Sequence, residues 1–472
     1  MKHRFSKIIA LLMALCMFAT VFTGCGNTST DTTGGTVDVN APTATPTTVP
    51  GGDNTEDVTG DATATPTATP TTAPGGDDTE DVTGDATATP TTAPTAAPTP
   101  TTKPTAKPTA TPTTAPTATP APSVQDDQIV ATYIYGGYDR LTEADLKKLD
   151  IIYIAFGLID EDTFEMTFRR ENRLQGLTEL RKKDPDTKLV LSIGGWGADG
   201  FSQMAKKPEN RATFIASVMS FLDKHNLDGV DIDWEYPVTG GDIEHASNDK
   251  TNFTKLLQEL RAALDERTAS DGGKMLLTIA AAADSNYWEE SINVPKCIQY
   301  LDYINLMTYD FAGSWSYETG HHTNLSAPSS GNGWWTPANA QSSVKYAMDA
   351  GVPAEKIILG AAAYGKEFSG VKSSSNNGLN QEYTGGCEDI DLNDIMDLIG
   401  KNGYVRYWDS KANAPYLFNG STLISYDDAE SIGLKAKYIV DKGLAGIMYW
   451  DYAGDSEESI IINTARDYFD QH

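Results

Sequence analysis

Asp228-Gly229-Val230-Asp231-Ile232-Asp233-Trp234-Glu235-Tyr236-Pro237 alternates acidic and apolar side chains before a proline closes the run. In an extended strand, neighbouring side chains point to opposite faces. Asp231, Asp233 and Glu235 therefore share one face, while Val230, Ile232 and Trp234 share the other. Acids two residues apart stand about 6–7 Å apart at their α-carbons. Three carboxyls at that spacing inside a fold cannot all ionise cheaply, so at least one keeps a proton near neutrality. A carboxyl protonated at neutral pH is what general-acid catalysis requires. Two blander patterns fit less well. A calcium loop needs glycine and turn residues rather than Val-x-Ile-x-Trp; a solvated strand face is the other alternative, against which stand Pro237 at the end of the segment and a fully apolar opposite face. Glu235, last before the proline, is the candidate proton donor.

Outward from this run, short apolar stretches alternate with amphipathic ones. Strands are expected at 129–135, 151–156, 189–193, 229–235, 275–281, 303–309, 357–363 and 446–450. Helical patterns fall at 143–149, 173–182, 211–225, 252–267, 338–350 and 427–442. Eight near-continuous apolar strands separated by helices predict an α/β fold, a (β/α)8 TIM barrel spanning 129–472. A doubly wound open sheet would want a glycine-rich phosphate turn after its first strand, and Gly136-Gly137 is not that fingerprint. Barrel active sites sit at the C-terminal ends of the strands, where Glu235 would be. The gap between strands seven and eight is too long for one crossover. Its strand-like Tyr404–Asp409 and Tyr416-Leu417-Phe418, with a turn at Asn419-Gly420, predict a small α+β insertion at about 367–424.

The net charge of −29 argues against nucleic acid, whose phosphates demand a basic face. Residues 26–127 hold thirteen acids against two lysines, a net −11. Residues 26–128 are almost wholly Thr, Pro, Ala, Gly and Asp, with Gly51–Asp57 repeated 24 residues later as Gly75–Asp81. Such composition cannot offset its ordering entropy by burial, which predicts a disordered Thr/Pro-rich spacer. Residues 1–25 have the layout of a secretory signal: Lys2, Arg4 and Lys7, then an apolar run too short to span a bilayer. Phe22-Thr23-Gly24-Cys25-Gly26 resembles a bacterial lipobox, with Phe22 where that motif usually has Leu. The resemblance implies a lipid on Cys25, a protein held at the bacterial cell surface, and no other contact with the membrane. Of four cysteines only Cys297 and Cys387 lie beyond these segments; spacing alone does not say whether they pair.

Four motifs in order resemble those of family 18 glycoside hydrolases, and the likeness covers nearly all of 129–470. They are the Asp228 to Glu235 run, Ser192-Ile193-Gly194-Gly195-Trp196, Met307-Thr308-Tyr309-Asp310, and Met448-Tyr449-Trp450-Asp451. Tyr404 to Asp409, Pro415 and Tyr426-Asp427 resemble the family's chitinase-type insertion. The resemblance implies a retaining, substrate-assisted cleavage of β-1,4 bonds in chitin or chitooligosaccharides, with no cofactor. It gives Glu235 as acid/base, Asp233 as partner of the sugar acetamide, Asp231 as sharer of a proton with Asp233, and Tyr309 as donor to the acetamide oxygen. Trp450 would be the floor under the sugar ring. Tyr236, Asp310, Met307, Phe156, Trp196 and Trp315 are candidate substrate contacts, with Trp334, Trp335 and Trp408 as further possible platforms. Asp228, Ser192, Gly194 and Gly195 are expected to support the site. His321-His322 lacks a third metal ligand nearby, so no metal is expected, and the chain is expected to act as a monomer. Lys366 stands where many relatives have Arg, a departure beside Tyr364. Competing expectations are an endo-β-N-acetylglucosaminidase acting on N-glycans or peptidoglycan, and a non-catalytic chitin-binding lectin; such lectins typically lack the acid that Glu235 supplies.

Overall fold

The computed structural model describes residues 128–184, 186–329 and 338–472 of the 472-residue chain. The expectations for the signal, Cys25, the spacer, Trp334 and Trp335 lie outside the described residues. In chain order the strands are β1 Ile129–Ile134, β2 Ile151–Ile159, β3 Met166–Thr167, β4 Lys188–Gly194, β5 Gly229–Asp233, β6 Leu276–Ala282, β7 Tyr303–Met307 and β8 Ile357–Ala362. Then come β9 Tyr364–Ser369, β10 Cys387–Asp391, β11 Val405–Asp409, β12 Ala414–Phe418, β13 Thr422–Ser425 and β14 Gly446–Trp450.

The parallel strands run β1-β14-β8-β7-β6-β5-β4-β2, and β1 also pairs with β2, so the sheet closes on itself. This is the expected (β/α)8 barrel, with β3 folded back antiparallel on β2. Its strands are buried on both sides because helices cover the outside. The helix Pro208–His225 starts on a proline, whose fixed φ and missing N–H suit a first turn, and stops at Asn226 in the left-handed region. The helix Ala429–Lys442 is capped by the Asp428 side chain, which accepts from Glu430 N and Ser431 N, and ends at Gly443. Trp234 turns outward from β5 into this shell, with its ring 5.2 Å from Phe201 and 5.4 Å from Phe253. It is 1% exposed, and truncating it to alanine would cost about 3–5 kcal/mol.

Asp228 was expected to support the acid site. The structure corrects this. Asp228 lies at the foot of β5, fully buried, and accepts from Arg181 Nη1 at 2.5 Å, Leu189 N at 2.8 Å and Ser270 N at 2.7 Å. It closes the N-terminal end of the barrel, the opposite end from the strand mouths.

Between β8 and β14 the chain builds an antiparallel sheet in the order β10-β9-β13-β12-β11, spanning 364–425. Asn419 turns the β12–β13 hairpin by accepting from Thr422 N at 2.8 Å, beside Gly420 at φ 100°. Where the chain leaves this sheet, Asp427 and Lys435 form a buried ion pair at 2.6 Å, shared with Thr323 Oγ1. Cys297 and Cys387 are both free thiols.

Candidate active site

The acids project from the mouth of β5. The regular strand ends at Asp233, two residues short of expectation, and Glu235 sits just past it. There the chain bends back on itself: a Cβ on Gly241 (φ 71°) would lie 1.9 Å from the Glu235 carbonyl oxygen. The inward face predicted by the period of two is nevertheless kept, with Asp231 at 0%, Asp233 at 5% and Glu235 at 9% exposure. The peptide bonds Ala155–Phe156, Glu235–Tyr236 and Trp450–Asp451 are cis.

Asp231 lies deepest. Its Oδ2 accepts from Tyr133 Oη at 3.0 Å and Ser192 Oγ at 2.8 Å, and its Oδ1 from Thr278 Oγ1 at 2.7 Å and Asn305 Nδ2 at 3.3 Å. Burial pushes its carboxyl up, and these donors pull it back by favouring the anion. Asp233 Oδ1, one step nearer the mouth, has no hydrogen-bond partner among the described residues. Burial, then the Glu235 and Asp231 charges, hold its carboxyl well above the usual range. Donors from β1, β4, β6 and β7 thus reach both Asp231 oxygens. Burial lifts Glu235 to about 7; the Tyr236 hydroxyl works against this and the Asp310 charge adds to it.

Around the acids stand the other predicted residues. Burial raises the Tyr309 hydroxyl, as do the Asp233 and Glu235 charges that it faces. Trp450, at the end of β14, has its ring 5.4 Å from Phe156, nearly parallel at 15°, and 5.6 Å from Tyr133. Met307 and Tyr309 pack on the same cluster. Tyr236 is half-buried, with its ring edge-on to Tyr287 at 5.9 Å. Two glycines let backbone and ring crowd together. A Cβ on Gly194 (φ 127°) would strike the Asp233 carbonyl at 1.9 Å, and one on Gly195 (φ 92°) the Phe156 ring at 2.5 Å. Asp310, at φ 58°, accepts from Tyr364 Oη at 2.8 Å and Lys366 Nζ at 2.9 Å on one oxygen, and Lys366 also reaches Asp389 at 2.6 Å. The lysine that stands in for arginine thus ties the barrel mouth to β10.

The outlying tryptophans separate. Trp196 is 69% and Trp315 44% exposed, both on loops beyond the strand ends. Trp408 lies on β11 under Arg406, 5.4 Å from its ring centroid. His321 and His322 are engaged singly, with Asp409 Oδ2 at 3.3 Å and the Tyr364 carbonyl at 3.1 Å. Sequence reasoning missed Thr278 and Asn305. Each is a lone polar residue in an apolar run, Leu276-Leu277-Thr278-Ile279 and Ile304-Asn305-Leu306, and that solitary polarity was the available signal.

Chitinase A1 of Niallia circulans is 40% identical over 301 residues, covering 60% of this chain and 43% of that protein. Mouse chitotriosidase-1 is 34% identical over 307 residues, covering 64% and 65% respectively. The chain thus spans about half to two thirds of the length of these relatives. A solved family 18 N-acetylglucosaminidase from Paenibacillus barengoltzii superposes with a TM-score of 0.68 at 38% identity, over 72% of this chain and all of that one. The profile of the glycosyl hydrolases family 18 matches residues 128–455, and the chain belongs to that family.

Proposed function

We propose that the protein hydrolyses β-1,4 bonds in chitin and chitooligosaccharides with retention of configuration. The observation that carries this is Asp233 Oδ1, a buried acceptor without a partner among the described residues, beside a glutamate lifted to about 7. An unpaired buried acceptor is costly unless a ligand completes it. The N–H of an N-acetyl group would do so, turning the acetamide oxygen toward the anomeric carbon. That oxygen forms the new bond as Glu235 protonates the departing glycosidic oxygen, giving an oxazolinium and a free chain end. Glu235, now anionic, takes a proton from water, which opens the ring and restores the acetamide. Asp233 balances the positive charge that develops, Tyr309 Oη donates to the acetamide oxygen, and Trp450 carries the apolar face of the sugar.

Glu235→Gln is expected to lower kcat on an aryl chitobioside by about 10²–10⁴-fold while oligosaccharide binding by calorimetry persists. Retained turnover, or an inverted product anomer by NMR, would overturn the mechanism. The likeness to the Paenibacillus N-acetylglucosaminidase favours a second reading, release of single N-acetylglucosamine units. Sizing the products from colloidal chitin separates the two, and a high-mannose glycopeptide tests the N-glycan alternative.

The lipobox-like run at Cys25 and the spacer after it support a further part of the proposal. The catalytic domain is tethered to the bacterial surface by one lipid, with enough chain to reach an insoluble polymer. Radiolabelled palmitate incorporated by the full chain but equally by Cys25→Ala would refute the anchor.

A further inference from the structure

Glu235 lies two residues past the end of β5, so its place depends on the turn that follows it. At the centre of that turn is Val238, half-buried at φ 72°. Across it, Thr239 N donates to the Pro237 carbonyl at 2.9 Å. A bond from the third residue back to the first about a positive φ makes a γ-turn of the rare, strained kind. A β-branched side chain at its centre makes that conformation costlier still. Such backbone persists only where its surroundings hold it.

The holder comes from the loop after β6. Tyr287–Ser291 forms one wide helical turn, closed by Ile292 N on the Tyr287 carbonyl at 3.3 Å. Asp284 Oδ1 braces its start, accepting from Asn286 N at 2.8 Å and Tyr287 N at 3.2 Å. Ser291 ends this helical turn at 1% exposure, and its Oγ donates to the Pro237 carbonyl at 2.7 Å. From the other end, the Tyr287 ring meets Tyr236 edge-on. One helical turn thus grips both residues that follow the proton donor.

We propose that Ser291 is a positioning residue whose hydrogen bond to Pro237 holds the strained Val238 turn and so keeps Glu235 aimed at the glycosidic oxygen. The inference rests on Glu235 being the acid of the hydrolysis proposed above. The Pro237 carbonyl already accepts from Thr239 N, so removing the serine hydroxyl leaves no buried group unpaired. The loss then falls on geometry. A general acid must sit within hydrogen-bond reach of the oxygen it protonates, so a small displacement slows the chemical step more than it weakens binding.

The test is a double-mutant cycle that follows kcat and KM on an aryl chitobioside. Ser291→Ala is expected to lower kcat about three- to tenfold, with KM within about twofold of wild type and an unaltered circular dichroism spectrum. Glycine adopts a positive φ without strain, so in a Val238→Gly background the turn needs no holder. There the same Ser291→Ala step is expected to cost less than about twofold in kcat. An unchanged kcat, a loss that falls on KM, or equal costs in the two backgrounds would overturn the proposal. So would a lost native spectrum in Ser291→Ala, since the bond would then hold the fold rather than the acid. A wild-type protein inactive on chitooligosaccharides would instead reject the proposed function.

Discussion

The saturation of Asp231 by four donors makes Thr278→Val an informative perturbation. Thr278 Oγ1 makes the shortest of the four bonds, 2.7 Å, to a fully buried carboxylate. Valine keeps the branched shape and removes only the donor. A hydrogen bond to a buried anion contributes about 1.5–3 kcal/mol. Its loss should therefore raise the Asp231 pKa further. The sign follows from which form loses its partner. The bond favours the anion, so without it Asp231 takes up a proton at a higher pH as the medium is acidified. The acidic limb of kcat/KM on an aryl chitobioside should therefore move to higher pH, while Thr278→Ser should stay close to wild type. An acidic limb that stays put in a variant with an unaltered circular dichroism spectrum would refute the claim that catalysis needs Asp231 as an anion.

Activity should also have a basic limb near pH 7, because Glu235 must hold a proton to act as an acid and burial lifts it to about 7. Asp310→Asn, which removes a charge that raises Glu235, should move that limb to lower pH; movement upward would contradict it. Lys435→Met leaves the Asp427 carboxylate buried and unpaired and should cost about 3–5 kcal/mol by urea unfolding. Replacing Asp427 as well, with leucine, should recover much of that loss, and no recovery would mean that the pair is not the origin of the cost.

The barrel was legible because its strands are buried on both faces, which leaves short, predominantly apolar runs at most of the eight positions. The acid face was legible because a period of two survives any error in strand ends: the regular strand stops at Asp233, yet Glu235 still points inward. Depth along the barrel axis was not legible. Asp228 belongs to the same motif as Glu235, and nothing in the spacing reveals that it anchors Arg181 at the other end of the sheet. Thr278 and Asn305 escaped because single polar residues in strands have many ordinary explanations. Only the strand order, which sets β6 beside β5 and β7 next in line, brings both to Asp231.

A single strand, β5, has a structural lock at its foot and the reacting groups at its tip. The pairing of Asp228 with Arg181, with the bonds from Leu189 N and Ser270 N, pins the register of that strand at its foot. A slip of one residue would turn every acid into the helical shell. A slip of two would keep them inward but offset them by one rung from Tyr309 and Trp450.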